Sequence, residues 1–330
     1  MKALLVRGAN DVVLNEIEMP IVGPGEVLVS PLVSGLCGTD LEIIAGTIDA
    51  AYVHYPVVLG HEWVGRRVDH AERGALVVVE GIVPCGHCDE CQRGAPNHCR
   101  TYDEIGFTRP GALSEFIAVP DHLIHELHPE VSALDAALVE PMAVVWRALT
   151  RAHVLKDSRC LVIGDGTVAL ICALLLQRFS PANITMLGLR PAQAELAKRA
   201  GISAFVTEIG DERFDFVIEA AGQGPAIARA LSSADRGGTK VLLGLPAQGT
   251  AVQLFPDDVV NNDLIIQGSF SYTRQSWAEV VGLLNDRLIH PSFLITHRFV
   301  LAAWRQALDT LSNAPRHEPR GKVVITLDND

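Results

Sequence analysis

The sequence predicts a mixed α/β protein of two domains, a β-rich one followed by a doubly wound parallel sheet. Two changes of texture along the chain carry that reading. Up to about Pro120, short Val-rich runs such as Glu26-Val27-Leu28-Val29, Leu76-Val77-Val78-Val79-Glu80 and Leu113 to Val119 are broken by Gly and Pro, as strands joined by long loops are. From Leu134 the spacing becomes helical and rich in Ala and Leu, and from Cys160 strands and helices alternate, which calls for parallel pairing. A chain of 330 residues also exceeds the size at which one core usually keeps growing.

The strands of the second domain are expected at Cys160 to Gly164, Ile184 to Gly188, Ser203 to Val206, Phe214 to Glu219, Thr239 to Leu243 and Leu264 to Gly268. Six such strands suit a dinucleotide fold. Beyond Ser271 come helical stretches at Gln275 to Asn285 and Leu301 to Leu311, then a last strand at Lys322 to Leu327, a tail expected to return to the first domain. The domains are thus placed at 1–135, 136–271 and a returning 272–330. Cys160 and Cys172, on the first strand and first helix of the second domain, are read as core.

Thirty-nine acidic against 27 basic residues leave a net charge of -12, which offers no field for nucleic acid or anionic lipid. The N-terminus turns polar too soon for a signal-peptide core, and charges interrupt every later apolar stretch short of a membrane span. A cytoplasmic protein with no membrane or nucleic-acid partner is expected. Four of the seven cysteines crowd between Cys85 and Cys99, and in a reducing compartment that pattern points to metal rather than disulfides.

Cys85, Cys88, Cys91 and Cys99 follow Cys-x2-Cys-x2-Cys-x7-Cys spacing in a turn-rich loop. Four thiolates so spaced wrap one tetrahedral zinc with no open position, which makes the site structural. No Lys/Arg-rich helix follows to make it a nucleic-acid module. Cys37, His61, Glu62 and Glu140 are dispersed, each beside Gly or Pro in a predicted loop, and spacing alone leaves packing or surface roles open for them.

In the second domain Cys160 to Ile163 runs into Gly164-Asp165-Gly166-Thr167-Val168-Ala169, with an apolar helix from Leu170 to Phe179 behind it. A strand, a Gly-x-Gly-x-x-Ala turn and a helix set a pyrophosphate on the helix N-terminus, where Thr167 and Val168 offer backbone N–H groups. This is a Rossmann signature. About 20 residues on, NAD enzymes commonly carry an acid for the adenosine ribose. Here Gly188 and Arg190 stand instead, so NADP is favoured over NAD; were Arg190 only a solvated helix-start residue, either cofactor would bind.

Gly-x-Cys-Gly-Thr-Asp at Gly35 to Asp40, Gly60-His61-Glu62, the four-cysteine lobe, Glu140-Pro141 and the Gly-x-Gly turn occur in this order over nearly the whole chain. Together they resemble the medium-chain zinc-dependent alcohol dehydrogenases, most of all the sorbitol and threonine dehydrogenase branch. The resemblance implies a GroES-like catalytic domain around the Rossmann domain, with the active site in the cleft between them. It implies a catalytic zinc held by Cys37, His61 and Glu62, with Glu140 as a further ligand or water holder, hence two zinc ions per chain. A zinc with an open position lowers the pKa of a hydroxyl it binds and eases release of hydride from the alcohol carbon.

On the same resemblance Thr39 accepts the alcohol proton; a turn or helix cap is its ordinary alternative. Asp40 is a candidate to orient His61. Where many relatives carry a relay histidine this chain has Glu42, which leaves the proton's path to water open. Further cofactor contacts are implied at Ala220, Gly244, Leu245, Ser269, Phe270 and Ser271, with Lys322 as the basic residue reaching the pyrophosphate. Phe107, Phe270 and Tyr272 are candidate pocket walls. The implied substrate is a small secondary alcohol or its carbonyl: polyol, sugar, cyclitol or amino alcohol. A homodimer or homotetramer paired through the cofactor domains is expected, with the strand near Leu264 as the edge. The rivals are a metal-independent reductase of the same fold and a non-catalytic binding module.

Overall fold

Within the second half of the chain, six strands run parallel in the order 204–206, 183–187, 159–163, 214–219, 234–242 and 265–268. Starting at the middle and winding outward both ways is the Rossmann order. The computed structural model that gives this architecture describes residues 1–68, 74–313, 315 and 317–327. All six expected strands are present, and the fifth begins early, at Ala234. Leu161, Ile163 and Val217, buried between helices and sheet, explain why these segments read as apolar runs. The first helix spans Thr167–Leu176, three residues ahead of the expected start, because Gly166 caps it, and its last turn tightens to a 3-10 helix at Gln177–Phe179.

The chain divides into two compact units, Met1–Glu140 with Tyr272–Ala314 and Lys322–Asp330, and Pro141–Ser271 with Pro315–Gly321. Segment 315–321, which the sequence reading leaves in the returning tail, groups with the Rossmann unit, where Gln193 bonds the Arg320 backbone in both directions.

The first unit is built on the Glu26–Leu36 strand, which pairs antiparallel with Glu62–Arg67, Ile117–Pro120 and Lys322–Thr326. The last of these also pairs parallel with Ile295–Val300. The tail therefore returns into the centre of this sheet. Two cores flank it. One gathers Leu4, Leu36, Ile43, Trp304, Val323 and Ile325, the other Val29, Trp63, Val77, Val79 and Ile117.

The Arg274–Asn285 helix is capped by Thr273, whose hydroxyl accepts the Ser276 N–H. It seats on the unit through Trp277, which is 1% exposed, edge-on to Tyr272 and stacked on His125. The Tyr272 hydroxyl accepts the backbone N–H groups of Gly81 and Ile82, and His125 Nε2 meets buried Glu80 at 2.8 Å. Tyr272 thus stitches backbone rather than lining open space. Among the described residues no helix is long and apolar enough to cross a membrane.

At one end of the Rossmann sheet Arg159 bridges Asp215 and Asp235 at 2.8 and 2.7 Å, and hydrogen bonds from Arg159 hold both carboxyls below their ordinary range. A carboxyl depressed on folding contributes stability that is complete above the unfolded value of about 3.9 and is lost as pH falls through the folded value. Replacing Arg159 by Met should therefore lower the urea midpoint at pH 6 and have a smaller effect at pH 3.5, read by circular dichroism.

Candidate functional site

The dispersed residues of the first half lie at the ends of regular elements rather than in loops, and three of them meet. Cys37 is the N-cap of the Gly38–Ala45 helix, Glu62 opens the Glu62–Arg67 strand with His61 just before it, and Glu140 lies in the first turn of the Val139–Arg151 helix. Cys37 Sγ, a ring nitrogen of His61 and a carboxylate oxygen of Glu62 lie within 4.8 Å of one another. Glu140 falls outside that cluster, although its charge is felt by Lys322.

Asp40 organises two of these residues. Fully buried, it accepts the Cys37 N–H through Oδ2 at 2.8 Å, which caps the helix, and faces His61 Nδ1 with Oδ1 at 3.5 Å. Burial alone would lower the His61 pKa, but Asp40 and Cys37 hold it well above the ordinary value. Thr39 Oγ1 lies 3.6 Å from Cys37 Sγ, and Glu42 is exposed on the same helix.

Lys322 is not at the surface. It is 3% exposed and forms an ion pair with Glu62 Oε2. Gly35 makes that pair possible, since a Cβ there would lie 2.6 Å from both the Glu62 carboxylate and the Lys322 side chain. Gly60, at φ +103, turns the chain so that His61 enters the site; a Cβ there would strike the Leu113 backbone at 2.7 Å. Phe107 packs against the His61 ring at 5.2 Å.

Glu104 is the residue that sequence reading missed. Burial raises its carboxyl to about 7, with nearby His61 opposing. Burial and then Glu62 raise Glu140 to about 8. The one signal in the sequence was an acid directly before the Ile105-Gly106-Phe107 turn.

A sulfur, an imidazole and a carboxylate suit zinc, and their donor atoms lie within 4.8 Å of one another, so the residues present fit such an ion. The Cys85, Cys88, Cys91 and Cys99 sulfurs likewise lie within 4.8 Å of one another. Backbone N–H groups of His87 and Cys88 lower Cys85 to about 6, while burial and then the Cys88 thiol raise Cys91 to about 12.

Every expected cofactor residue of the Rossmann unit lies at or just beyond the carboxyl end of a strand, whereas Lys322 belongs to the first unit. Gly164 has φ +120, and Gly166 opens the helix with nothing within 4 Å of where a Cβ would be, a cradle fit for a pyrophosphate over the N–H groups of Thr167 and Val168. Ala220 follows Phe214–Glu219 and bonds to Ile163. Gly244 is close-packed instead, its Cβ position 2.2 Å from the Gly222 nitrogen, while neighbouring Leu245 is exposed. Arg147 holds Ser269 Oγ and the Phe270 carbonyl, and Ser271 takes a left-handed turn.

Gly188 does not leave open room beside it: the Phe205 ring and Asp165 Cβ would lie 2.6 and 2.7 Å from its Cβ. Its glycine is explained by that packing. Arg190 is bonded to Asp165 rather than solvated.

Residues 23–129 match the alcohol dehydrogenase GroES-like domain, and residues 167–286 match the zinc-binding dehydrogenase domain. The chain belongs to the medium-chain zinc-dependent alcohol dehydrogenase family. It is an alcohol oxidoreductase acting on CH–OH with zinc and a nicotinamide cofactor, which displaces the metal-independent reductase and the binding module. The chain is 28% identical to an L-threonine 3-dehydrogenase of Mesorhizobium japonicum over 98% of each. It is 28% identical to a sorbitol dehydrogenase of Bacillus subtilis over 94% of this chain and 93% of that one. A solved zinc-binding dehydrogenase from Sinorhizobium meliloti 1021, bound to NADP, superposes with a TM-score of 0.90 at 26% identity over 99% of each chain.

Two outcomes follow from this geometry. In chelator-treated, metal-free protein Lys322→Met strands the Glu62 carboxylate in the interior and should cost about 3–5 kcal/mol in urea unfolding, most of it recovered in the Glu62→Gln/Lys322→Met double variant. Cys91→Ala should make residues 85–99 sensitive to protease while the Rossmann unit stays folded, as limited proteolysis with mass spectrometry would read.

Proposed function

We propose that Cys37, His61 and Glu62 hold a catalytic zinc and that Cys85, Cys88, Cys91 and Cys99 hold a structural one, two ions per chain. The approach of three unlike donor atoms to within 4.8 Å, one from the head of the Gly38–Ala45 helix and two from the start of the Glu62–Arg67 strand, is the observation that carries this reading. Bound zinc supplies a Lewis acid for the substrate oxygen, and the bound nicotinamide supplies the hydride acceptor.

The chain's own residues do the rest. Asp40 fixes His61 from behind and sets the Cys37 backbone at the head of its helix. Lys322 steadies Glu62 through one carboxylate oxygen. Thr39, beside the Cys37 sulfur, relays the proton of the substrate hydroxyl: Oγ1 takes it as its own hydroxyl proton leaves toward water. Glu42, on the exposed face of the same helix, passes it toward water.

The substrate is a secondary alcohol bearing further hydroxyl or amino groups, because Glu104 and Glu140 add carboxyl groups that can accept or donate hydrogen bonds there. The cofactor is NADP in preference to NAD, by virtue of Arg190 and the absence of an acid at the end of the Asn183–Leu187 strand. The enzyme works in a reducing cytoplasm, consistent with its free cysteines. It assembles as a homodimer or homotetramer by pairing the Ile265–Gly268 edge strand, where Ile265 is 57% exposed.

Elemental analysis should count two zinc ions per wild-type chain and one in Cys37→Ser, with turnover of a polyol, sugar and amino-alcohol panel abolished in that variant and its thermal unfolding largely kept. A folded Cys37→Ser protein that still turns over, or a wild type loaded with one ion only, would overturn the assignment.

A further inference from the structure

Arg190 is gripped along one edge. Its Nε and one terminal nitrogen meet Asp165 Oδ1 at 3.2 and 2.9 Å, and the same terminal nitrogen donates to the Asp165 carbonyl at 3.0 Å. The other carboxylate oxygen, Oδ2, accepts the backbone N–H groups of Leu189 at 2.9 Å and Arg190 at 2.8 Å. Both side chains are nearly buried, 11% and 13% exposed.

Gln193, fully buried, closes the cluster. Its amide nitrogen donates to the carbonyls of Asp165 and Arg320, and its oxygen accepts the Arg320 N–H at 2.7 Å. That brings the Arg320 backbone against the turn and places its guanidinium near Arg190. Burial and then the Arg190 charge lower the Arg320 pKa, with Asp165 opposing.

Two guanidinium groups and one carboxylate therefore gather beyond the Asn183–Leu187 strand, where a Rossmann sheet presents the adenosine ribose. Asp165 already accepts four hydrogen bonds through its two side-chain oxygens, the usual capacity of a carboxylate, so it has little left for a ribose hydroxyl. The second terminal nitrogen of Arg190 makes no hydrogen bond among the described residues and keeps both its protons. An arginine so fixed loses little freedom when it meets an anion, and the N–H groups left on its second terminal nitrogen can donate charge-assisted hydrogen bonds to a phosphate.

We infer that Asp165 is a positioning residue for cofactor choice: it clamps Arg190 so that the outer edge of the guanidinium, with Arg320 as a second cation, receives the 2'-phosphate of NADP. This rests on the NADP reading above. The carboxylate lies on the far edge of the guanidinium, so the phosphate meets the near N–H groups before it meets the negative charge.

The test is calorimetric titration with adenosine 2',5'-bisphosphate and adenosine 5'-monophosphate, neither of which needs turnover, together with KM for NADP and NAD. Wild type should prefer the bisphosphate by about ten-fold or more, the worth of one charge-assisted hydrogen bond. Arg190→Ala should erase the preference, Asp165→Ala should bring it close to one, and Arg320→Ala should reduce it, with KM for NADP rising more than KM for NAD in each. Asp165→Asn, which keeps the shape of the turn but sets an amide group against Arg190, should behave like Asp165→Ala and stands in for it if that variant misfolds. A wild type with no preference overturns the NADP reading and the clamp with it. A preference lost in Arg190→Ala but kept in both Asp165 variants overturns the clamp alone. Equal weakening of both nucleotides in the Asp165 variants, or a stronger bisphosphate preference, also overturns it.

Discussion

A carboxylate taken out of water must find a compensating charge, and in the first unit Glu62 finds it in Lys322, 260 positions further along the sequence. The pair accounts for several features at once. Lys322 begins the strand that lies between Glu26–Leu36 and Ile295–Val300, so the central sheet closes only when the end of the chain returns. Gly35 stands directly opposite because any side chain would displace the two charges. Glu62 is held by a neighbour that cannot be mistaken for a ligand, since an ammonium has no lone pair to offer a metal.

Asp40 does for Cys37 and His61 what Lys322 does for Glu62. One carboxylate oxygen satisfies the backbone at the helix start and the other faces the imidazole, so a single buried side chain sets the direction of two candidate ligands. The four-cysteine lobe works differently. Its sulfurs are supported mostly by N–H groups of their own turns, a local arrangement that owes little to distant strands.

That contrast explains what could be read from residues alone. Cys85 to Cys99 and the Gly164 to Ala169 turn are local, and the buried parallel strands read as apolar runs, so the lobe and the Rossmann sheet were legible. The site residues near Cys37 could be chosen only through the order of several motifs, because their meeting is a product of tertiary structure. Lys322 was expected at the cofactor because a lone lysine does not reveal which buried acid it will meet. Glu104 was overlooked because its one signal, an acid directly before a glycine turn, does not say that the acid is enclosed. Gly188 was expected to leave open room beside the cofactor, and the ring that fills that space comes from Phe205 on an adjacent strand, which a local motif does not reveal. The Ile295–Val300 strand, with His297 and Arg298 in its middle, lacked the continuous apolar signal of its neighbours.

The seat of Trp277 has a practical consequence. An indole with almost no water around it, flanked by a phenol and an imidazole, emits toward the blue, and it would shift to the red if the Arg274–Asn285 helix came away from the strands it covers. The first unit thus carries an intrinsic optical gauge of whether its late helix is docked, placed by the fold at the point where early and late stretches of the polypeptide meet.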